Sequence, residues 1–451
     1  MHPVRFAVPL VLLLALCAVP VRADAQAGAF DTTWRPGGRA VVVLPETGAA
    51  VGLGVATVGE RIYVTAYAEL SGSSVRRTAV LRLFGTGDLD TAYGTAGALI
   101  ISDSRSTAPA TILSDGRIAY ADRSDVSTAS IWLGMIAADG RSWQLVPTLH
   151  FVDGLGLALR SEPYAIAAGP DGEVTVVGES RLSGTGPADF GVLKRTITLA
   201  PVDAFAGGAR TLDFGLGNAE EKAQVVAVDA VGRTVVLGTV DEGTPQVRLG
   251  LARFLADGTL DPGFGAGGLV VLDVPGLYEI SGLAIDHQGR IVYAGTFDTG
   301  SALRGADMFV GRLTASGAID AGFGIPSTGR TGVGFNNYPG ASDFAYALLV
   351  QPDDAILVAG AADSFQGIAY NFAIARLTPG GSLDPTFGVG GKTQGGFSAS
   401  SEQSVVKAMA LDARNRLLVV GQHSDGATNI GIARLTTGLP PPDPVFADEF
   451  E

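Results

Sequence analysis

"GTLDPGFGAGGLVVLDV" (258–274) and "GSLDPTFGVGGKTQGGF" (381–397) are near copies of one another. "GAIDAGFGIPSTGRTGVGF" (317–335) and "GDLDTAYGTAGALIISD" (87–103) repeat the same phrase, G-x-[LI]-D-x-x-[FY]-G. Asp261-Pro262 and Asp384-Pro385 suit the first two positions of a type I turn, because aspartate bonds the turn's own backbone and proline presets φ. The aromatic slot holds Tyr93, Phe264, Phe323 and Phe387, and each is expected to bury against a neighbouring unit. The phrase reads as a corner between two strands.

A second phrase accompanies the first. "LAIDHQGRIVYAGTF" (283–297), "LLVQPDDAILVAGAA" (348–362) and "MALDARNRLLVVGQH" (409–423) are three of seven copies. Aligned on the residue after the apolar run, the copies fall at 66, 122, 178, 238, 295, 360 and 421. A spacing of 56 to 65 residues marks an array of supersecondary units. Each copy is two short, β-branched runs around a turn, too short and too valine-rich for helices. Gly116, Gly172, Gly232, Gly289, Asp354 and Asn415 occupy the turn. All tolerate positive φ, so the reading is a hairpin, strands A and B, with a type I′ turn. A variable connection and a third strand, C, follow, as in "GLARF" (250–254) and "IGIARL" (430–435). The corner phrase then leads into strand D.

The two ends of the chain complement each other. The seventh unit supplies A, B and C, and then gives way to "LPPPDP". "AFDTTWRPGGRAVVVLPE" (29–46) carries the corner phrase, with Asp31 and Trp34 in its slots, and a strand over 40–44, but no C strand precedes it. The sequence therefore predicts an all-β, seven-bladed β-propeller of four-stranded antiparallel blades, with the last blade (405–437) closed by the N-terminal strand. The second and third units are degenerate, which leaves an irregular or eight-bladed ring as the alternative. The paired phrases resemble the delta-60 repeat family of exported bacterial propeller-type proteins over most of the chain. That resemblance implies a propeller and export, with no defined activity.

Residues 1–27 have the order of a secretory signal peptide: Arg5, an apolar run over 6–19, then small residues around Ala25 and Ala27. The expected domains are this leader, a propeller over 28–437, and a Pro-rich linker with an acidic tail over 438–451. The protein is expected in the periplasm, the cell envelope or the medium, as a monomer without membrane insertion. The only cysteine, Cys17, lies in the leader, so the mature chain has no disulfide or thiolate chemistry. A net charge of −14 argues against nucleic acid as a partner. Sixty-three glycines in 451 residues, about twice the usual share, suit short strands and tight turns.

Strand A should line the axis, with the A–B and C–D turns on one face. The B–C connections "TFDTGSALRGAD" (296–307) and "AADSFQGIAYN" (361–371) read as long loops, and variable loops carry binding. The B–C/D–A face is thus the expected site for a protein or glycan. Asp298, Asp307, Asp363, Phe365, Tyr370, His423 and Asp425 are the candidate residues, and Tyr278, Phe297 and Tyr338 add aromatics. Acids recur past strand B at Glu69, Asp125, Asp241, Asp298, Asp363 and Asp425. They read as caps of their own loops, since seven-fold spacing holds them too far apart to share an ion. No cofactor or metal is expected. The mature chain has only His150, His287 and His423 and no catalytic cluster, so a non-catalytic binding or scaffold module is the main reading. A propeller hydrolase or lyase using His423, and a purely structural surface module, are the alternatives.

Overall fold

The computed structural model describes residues 26–442, except 45–46, 73–74, 102–108, 124–129, 152–159, 182–185, 217–219, 242–246, 302–303, 366 and 399–402. The leader up to Ala25, with Cys17, and the tail from residue 443 lie outside the described residues. Strand β1 (Arg39–Val42) comes first. Sets of four follow: β2–β5 (Thr47–Val58, Arg61–Leu70, Arg76–Phe84, Ala98–Ile100) and β6–β9 (Ala110–Ile112, Ile118–Arg123, Ile131–Ile136, Trp143–Leu149). Next are β10–β13 (Arg160–Ala168, Val174–Arg181, Ala188–Arg195, Ala209–Leu212) and β14–β17 (Glu220–Val228, Thr234–Asp241, Val247–Phe254, Leu269–Leu272). Then come β18–β21 (Leu277–Ile285, Ile291–Ser301, Arg304–Leu313, Arg330–Val333) and β22–β25 (Asp343–Val350, Ile356–Phe365, Ala369–Leu377, Lys392–Gly395). Strands β26–β28 (Gln403–Leu411, Leu417–Asp425, Ala427–Leu435) end the series.

Neighbours within a set are antiparallel. Strand β1 lies along β28, with Arg39 opposite Ala433 and Val42 opposite Ile430. Four sets are separate sheets, and the other twelve strands form one sheet. Single parallel bridges, Tyr370 to Gln403 and Ala49 to Thr428, join the three sets in that sheet. The first strands of successive sets pack on each other in order: β2 on β6, β6 on β10, β10 on β14, β14 on β18, β18 on β22, β22 on β26, and β26 on β2.

Each slot of the corner phrase has a partner. Asp261 accepts from the backbone N–H of Gly263 (2.9 Å), and the Phe264 N–H donates to the Asp261 carbonyl (3.0 Å), so the type I turn forms. Asp261 also takes the Arg253 guanidinium from strand C at 2.8 Å. Arg82–Asp90, Arg312–Asp320 and Arg376–Asp384 repeat this pair. The other arm of each arginine crosses to the next set, Arg253 to the Ala315 carbonyl (2.5 Å) and Arg376 to the Thr437 carbonyl. Tyr93, Phe264, Phe323 and Phe387 are fully buried. Each lies beneath a glycine of the neighbouring corner, where a Cβ would strike the ring: Phe264 under Gly317, Phe323 under Gly381, Phe387 under Gly28. Trp34 under Gly87 and Tyr93 under Gly140 continue the series, and Arg434 pairs with Asp31 at 2.9 Å. The third unit keeps this logic with a substitute: Lys194 stands 5.7 Å over buried Phe205 and bonds Glu173 at 2.7 Å.

Two sequence expectations need correction. The A–B turns are not type I′. In Asp286–Arg290 only Gly289 has positive φ (74°), its N–H donates to the Asp286 carbonyl, and the Asp286 N–H donates to the Arg290 carbonyl. That is a type I turn followed by one left-handed residue. Asp286 accepts from the Gln288 and Arg290 N–H groups and pairs with the Arg290 side chain at 2.6 Å, which fixes the tighter-wound form. The B–C connections are not long loops either. Strands β19 and β20 run to Ser301 and from Arg304, and β23 and β24 to Phe365 and from Ala369. Residues 296–301 and 361–365 keep pairing as strand, so these segments are projecting hairpins.

Among the described residues no helix is long and apolar enough to cross a membrane.

Candidate functional site

The inner strands carry a feature absent from the phrases. In β10, β14, β18, β22 and β26 the register slips by one residue, leaving Tyr164, Gln224, Ser281, Tyr346 and Lys407 extra. Strand β2 slips likewise at Leu53. These are β-bulges at one level of neighbouring strands, and a bulge re-aims a side chain. The cause lies opposite, at the glycine closing strand B. A Cβ on Gly178, Gly238, Gly360 or Gly421 would fall on the carbonyl oxygen of Glu162, Lys222, Phe344 or Val405. In these four units the glycine leaves room for the carbonyl at the bulge, while β2 bulges opposite Ala66 instead.

Three of these inner strands converge on a charged and aromatic cluster. Lys407 Nζ sits 3.2 Å from the centroid of the Tyr346 ring, a cation–π placement. Burial pulls the Lys407 ammonium down to about 8, and Glu279 on β18 opposes the shift. Burial likewise raises the Glu279 carboxyl, and Lys407 works against it. Burial pushes the Tyr346 hydroxyl up to about 12, with Glu279, Tyr370 and Tyr278 adding to the effect. No carboxylate comes within salt-bridge distance of Lys407 among the described residues. Glu279 Oε1 and Gln224 Oε1 are buried without a hydrogen-bond partner.

Tyr278, Phe344 and Tyr370 stand beside this cluster. Tyr278 and Phe344 have ring centroids 5.9 Å apart, and Phe344 and Tyr370 6.2 Å. Tyr278 is 67% exposed, so the row presents aromatic surface to solvent at the start of the inner strands.

The sequence candidates scatter around this cluster. Tyr370 belongs to it. Asp363 is buried and accepts from the Tyr338 hydroxyl and the Gly367 N–H, capping its own hairpin. Asp298 is exposed and accepts from Gly300 N–H at 2.9 Å, also a local cap. Asp307 is buried beside Asp343, whose carboxyl burial pushes up to about 6. Asp425 is exposed at a turn. His423 is only 4% exposed, and burial lowers its pKa, which takes it off the loop face. The side chains of Phe365 and Asp241, and all of Asp125, lie outside the described residues. His287 ties two A–B turns together through Asp354 at 2.7 Å.

Sequence reasoning missed Lys407, Tyr346, Glu279 and Gln224. The bulge residues stand fourteen residues before the period marker in five copies, 164 before 178 through 407 before 421; that column is the signal.

Asp189, Asp213 and Glu221 each bring a carboxylate oxygen within 4.8 Å of the others. Burial pushes Glu221 to about 7 and Asp189 to about 6. Glu221 accepts from the Phe214 N–H at 3.1 Å. Its counterparts Ser161, Asp343 and Ser404 accept from Phe151, Phe335 and Phe397 in the same way. Glu221 is thus one of a series of caps on the D–A connection.

A family model described as "Domain of unknown function (DUF5122) beta-propeller" matches residues 232–264 and 351–387. The chain is a β-propeller repeat protein. Among solved structures, this propeller is similar to a polysaccharide lyase, a PL25 ulvan lyase, with a TM-score of 0.51 at 10% identity over 87% of this chain and 96% of that one. The β-propeller domain of the Trilobed protease from Pyrococcus furiosus gives 0.46 at 10% identity over 89% and 99%. An α-L-arabinanase of Penicillium chrysogenum gives 0.42 at 11% over 74% and 93%. At such identities the likeness is one of fold. None of the curated proteins compared matches the propeller sequence.

Proposed function

We propose that the chain is a closed, seven-bladed propeller of the delta-60 type, exported by its leader, that binds a glycan at its B–C/D–A face. Closure is supported by the pairing of β1 with β28, the packing of β26 on β2, and the aromatic-under-glycine series that crosses the chain ends at Phe387, Gly28, Trp34 and Gly87. The glycan reading rests on one observation: an aromatic row, exposed Tyr278 with half-buried Phe344 and Tyr370, beside the unpartnered acceptor Glu279 Oε1. Sugar rings offer C–H faces to aromatics and hydroxyls to such acceptors, whereas a protein partner calls for a broad apolar patch. The test is a glycan array with soluble protein, followed by calorimetry on hits with Tyr278→Ala and Tyr370→Ala. Each substitution is expected to weaken binding at least tenfold without changing the melting transition. An empty array, or hits indifferent to both substitutions, overturns the reading.

A hydrolase or lyase is the second reading. His423 is buried, whereas Lys407, Tyr346 and Glu279 form a perturbed acid–base set of the kind active sites use. Fragmentation of an array hit on prolonged incubation, abolished by Tyr346→Phe, would favour it.

A further inference from the structure

The bulge cluster narrows the class of sugar, and this step rests on the glycan reading above. We propose that the Lys407 site takes an anionic saccharide, with the acidic group of one sugar, a carboxylate or a sulfate ester, seated against the Lys407 ammonium.

Four observations carry this. The Lys407 ammonium is the bulge residue of an inner strand, and the re-aimed chain brings it over the Tyr346 ring rather than onto a carboxylate. Among the described residues it has no ion-pair partner, only the Tyr346 ring and the more distant Glu279, so its charge is left for an incoming group. Burial penalises that charge, which an anion in contact would relieve. The flanking groups suit the rest of a sugar: Glu279 Oε1 has no hydrogen-bond donor of its own, and Tyr278, Phe344 and Tyr370 offer ring faces. Tyr346 links the two halves, since its hydroxyl feels Glu279, Tyr370 and Tyr278 together.

Two charges oppose an anion. Glu279 is the near one, and its carboxyl is raised by burial, so it accepts a proton more readily than a surface glutamate. The net charge of −14 is dispersed over the surface and screened beyond about 8 Å at physiological salt. Contact with Lys407 occurs inside that distance. A neutral sugar would leave the ammonium as unmatched as before, and a cationic one would meet it head-on.

The experiment compares three tetrasaccharides by calorimetry on the full mature chain: a uronate tetramer, its carboxyl-reduced form, and a sulfated neutral tetramer. Wild-type protein is expected to bind at least one charged tetramer tenfold or more tighter than the reduced one. Preference for the uronate identifies carboxylate as the recognised group, and preference for the sulfated form identifies sulfate. Lys407→Met removes a half-buried cation and is expected to fold at least as stably, while its affinities for charged and reduced forms become equal. Equal affinities in wild type, or a preference that survives Lys407→Met, overturns the proposal but leaves the glycan reading standing if Tyr370→Ala still abolishes binding. Absence of binding to all three overturns this proposal, while the glycan reading stands or falls on the array.

Discussion

At the scale of single residues, two positions decide the inner strand. Gly421 has no room for a Cβ, which would fall on the Val405 carbonyl. Gly421→Ala is therefore expected to cost about 3 kcal/mol, the range of a core substitution that forces backbone strain. Urea unfolding measures it, and an unchanged midpoint would remove the bulge argument. Glu221 tests the opposite kind of fit. Its ordinary value of 4.5 is pushed to about 7, mainly by burial, with Asp213 and Asp189 adding to it. The folded carboxyl holds its proton more tightly than the unfolded one, so unfolding releases a proton as pH rises. This group's contribution is complete below about 4.5 and is lost as pH climbs through about 7. Glu221→Gln keeps the hydrogen bond to Phe214 and is expected to flatten the decline in stability between those values. A pH series of denaturation curves with the same slope for both proteins would contradict it.

At the scale of the element, the repeating unit was legible in outline and partly misread in detail. The corner phrase announced itself because each slot serves a separate contact: Asp261 with Arg253, Phe264 beneath Gly317. The period marker was also visible, but as punctuation. That Gly360 closes strand B because Tyr346 bulges on strand A could not be read, since a bulge is a relation between two strands and leaves no mark on either alone. For the same reason the sequence draws attention to the segments 296–307 and 361–371, while those holding Lys407 and Glu279 read as ordinary inner strand. Tyr370 stands out in the sequence because it is an aromatic on a projecting segment. The arginine of strand C gives the sharpest test at this scale. Arg376 pairs with Asp384 and reaches the Thr437 carbonyl just past the final strand. Arg376→Met takes the cation from Asp384, which keeps only its Thr386 hydrogen bonds, and the donor from the Thr437 carbonyl; it is expected to cost about 3 kcal/mol, with partial recovery in the double variant carrying Asp384→Asn. Additive losses in the double-mutant cycle would show that the two groups act independently.

At the scale of the whole molecule, the chain ends carry the most weight. Residues 26–42 supply Ala27, Trp34 and β1 to the last set, and the Gly28 N–H donates to the Thr436 carbonyl at 2.7 Å. A chain starting at residue 45 is expected to lose its cooperative transition, and a peptide of residues 26–44 added in trans to restore it. A truncated protein that melts like the intact one would rule out closure. The same contacts bear on where the proposed leader would be cut, after Ala25 or after Ala27. Gln26 donates to the Gly388 carbonyl, and Gly388 N–H donates to Ala27. Cleavage after Ala25 keeps both contacts, and cleavage after Ala27 discards them. Mass spectrometry of the exported protein is expected to find Gln26 at the amino terminus; a start at Gly28 would refute this.

The order of synthesis adds a last constraint. Arg39 emerges from the ribosome nearly four hundred residues ahead of its partner Ala433. A pairing of such sequence separation forms slowly, so the earliest strand must wait, unpaired, for the latest. Until residue 433 has been made this pairing is absent, and on the export proposed above the chain would at that stage still be open enough to thread through a narrow pore.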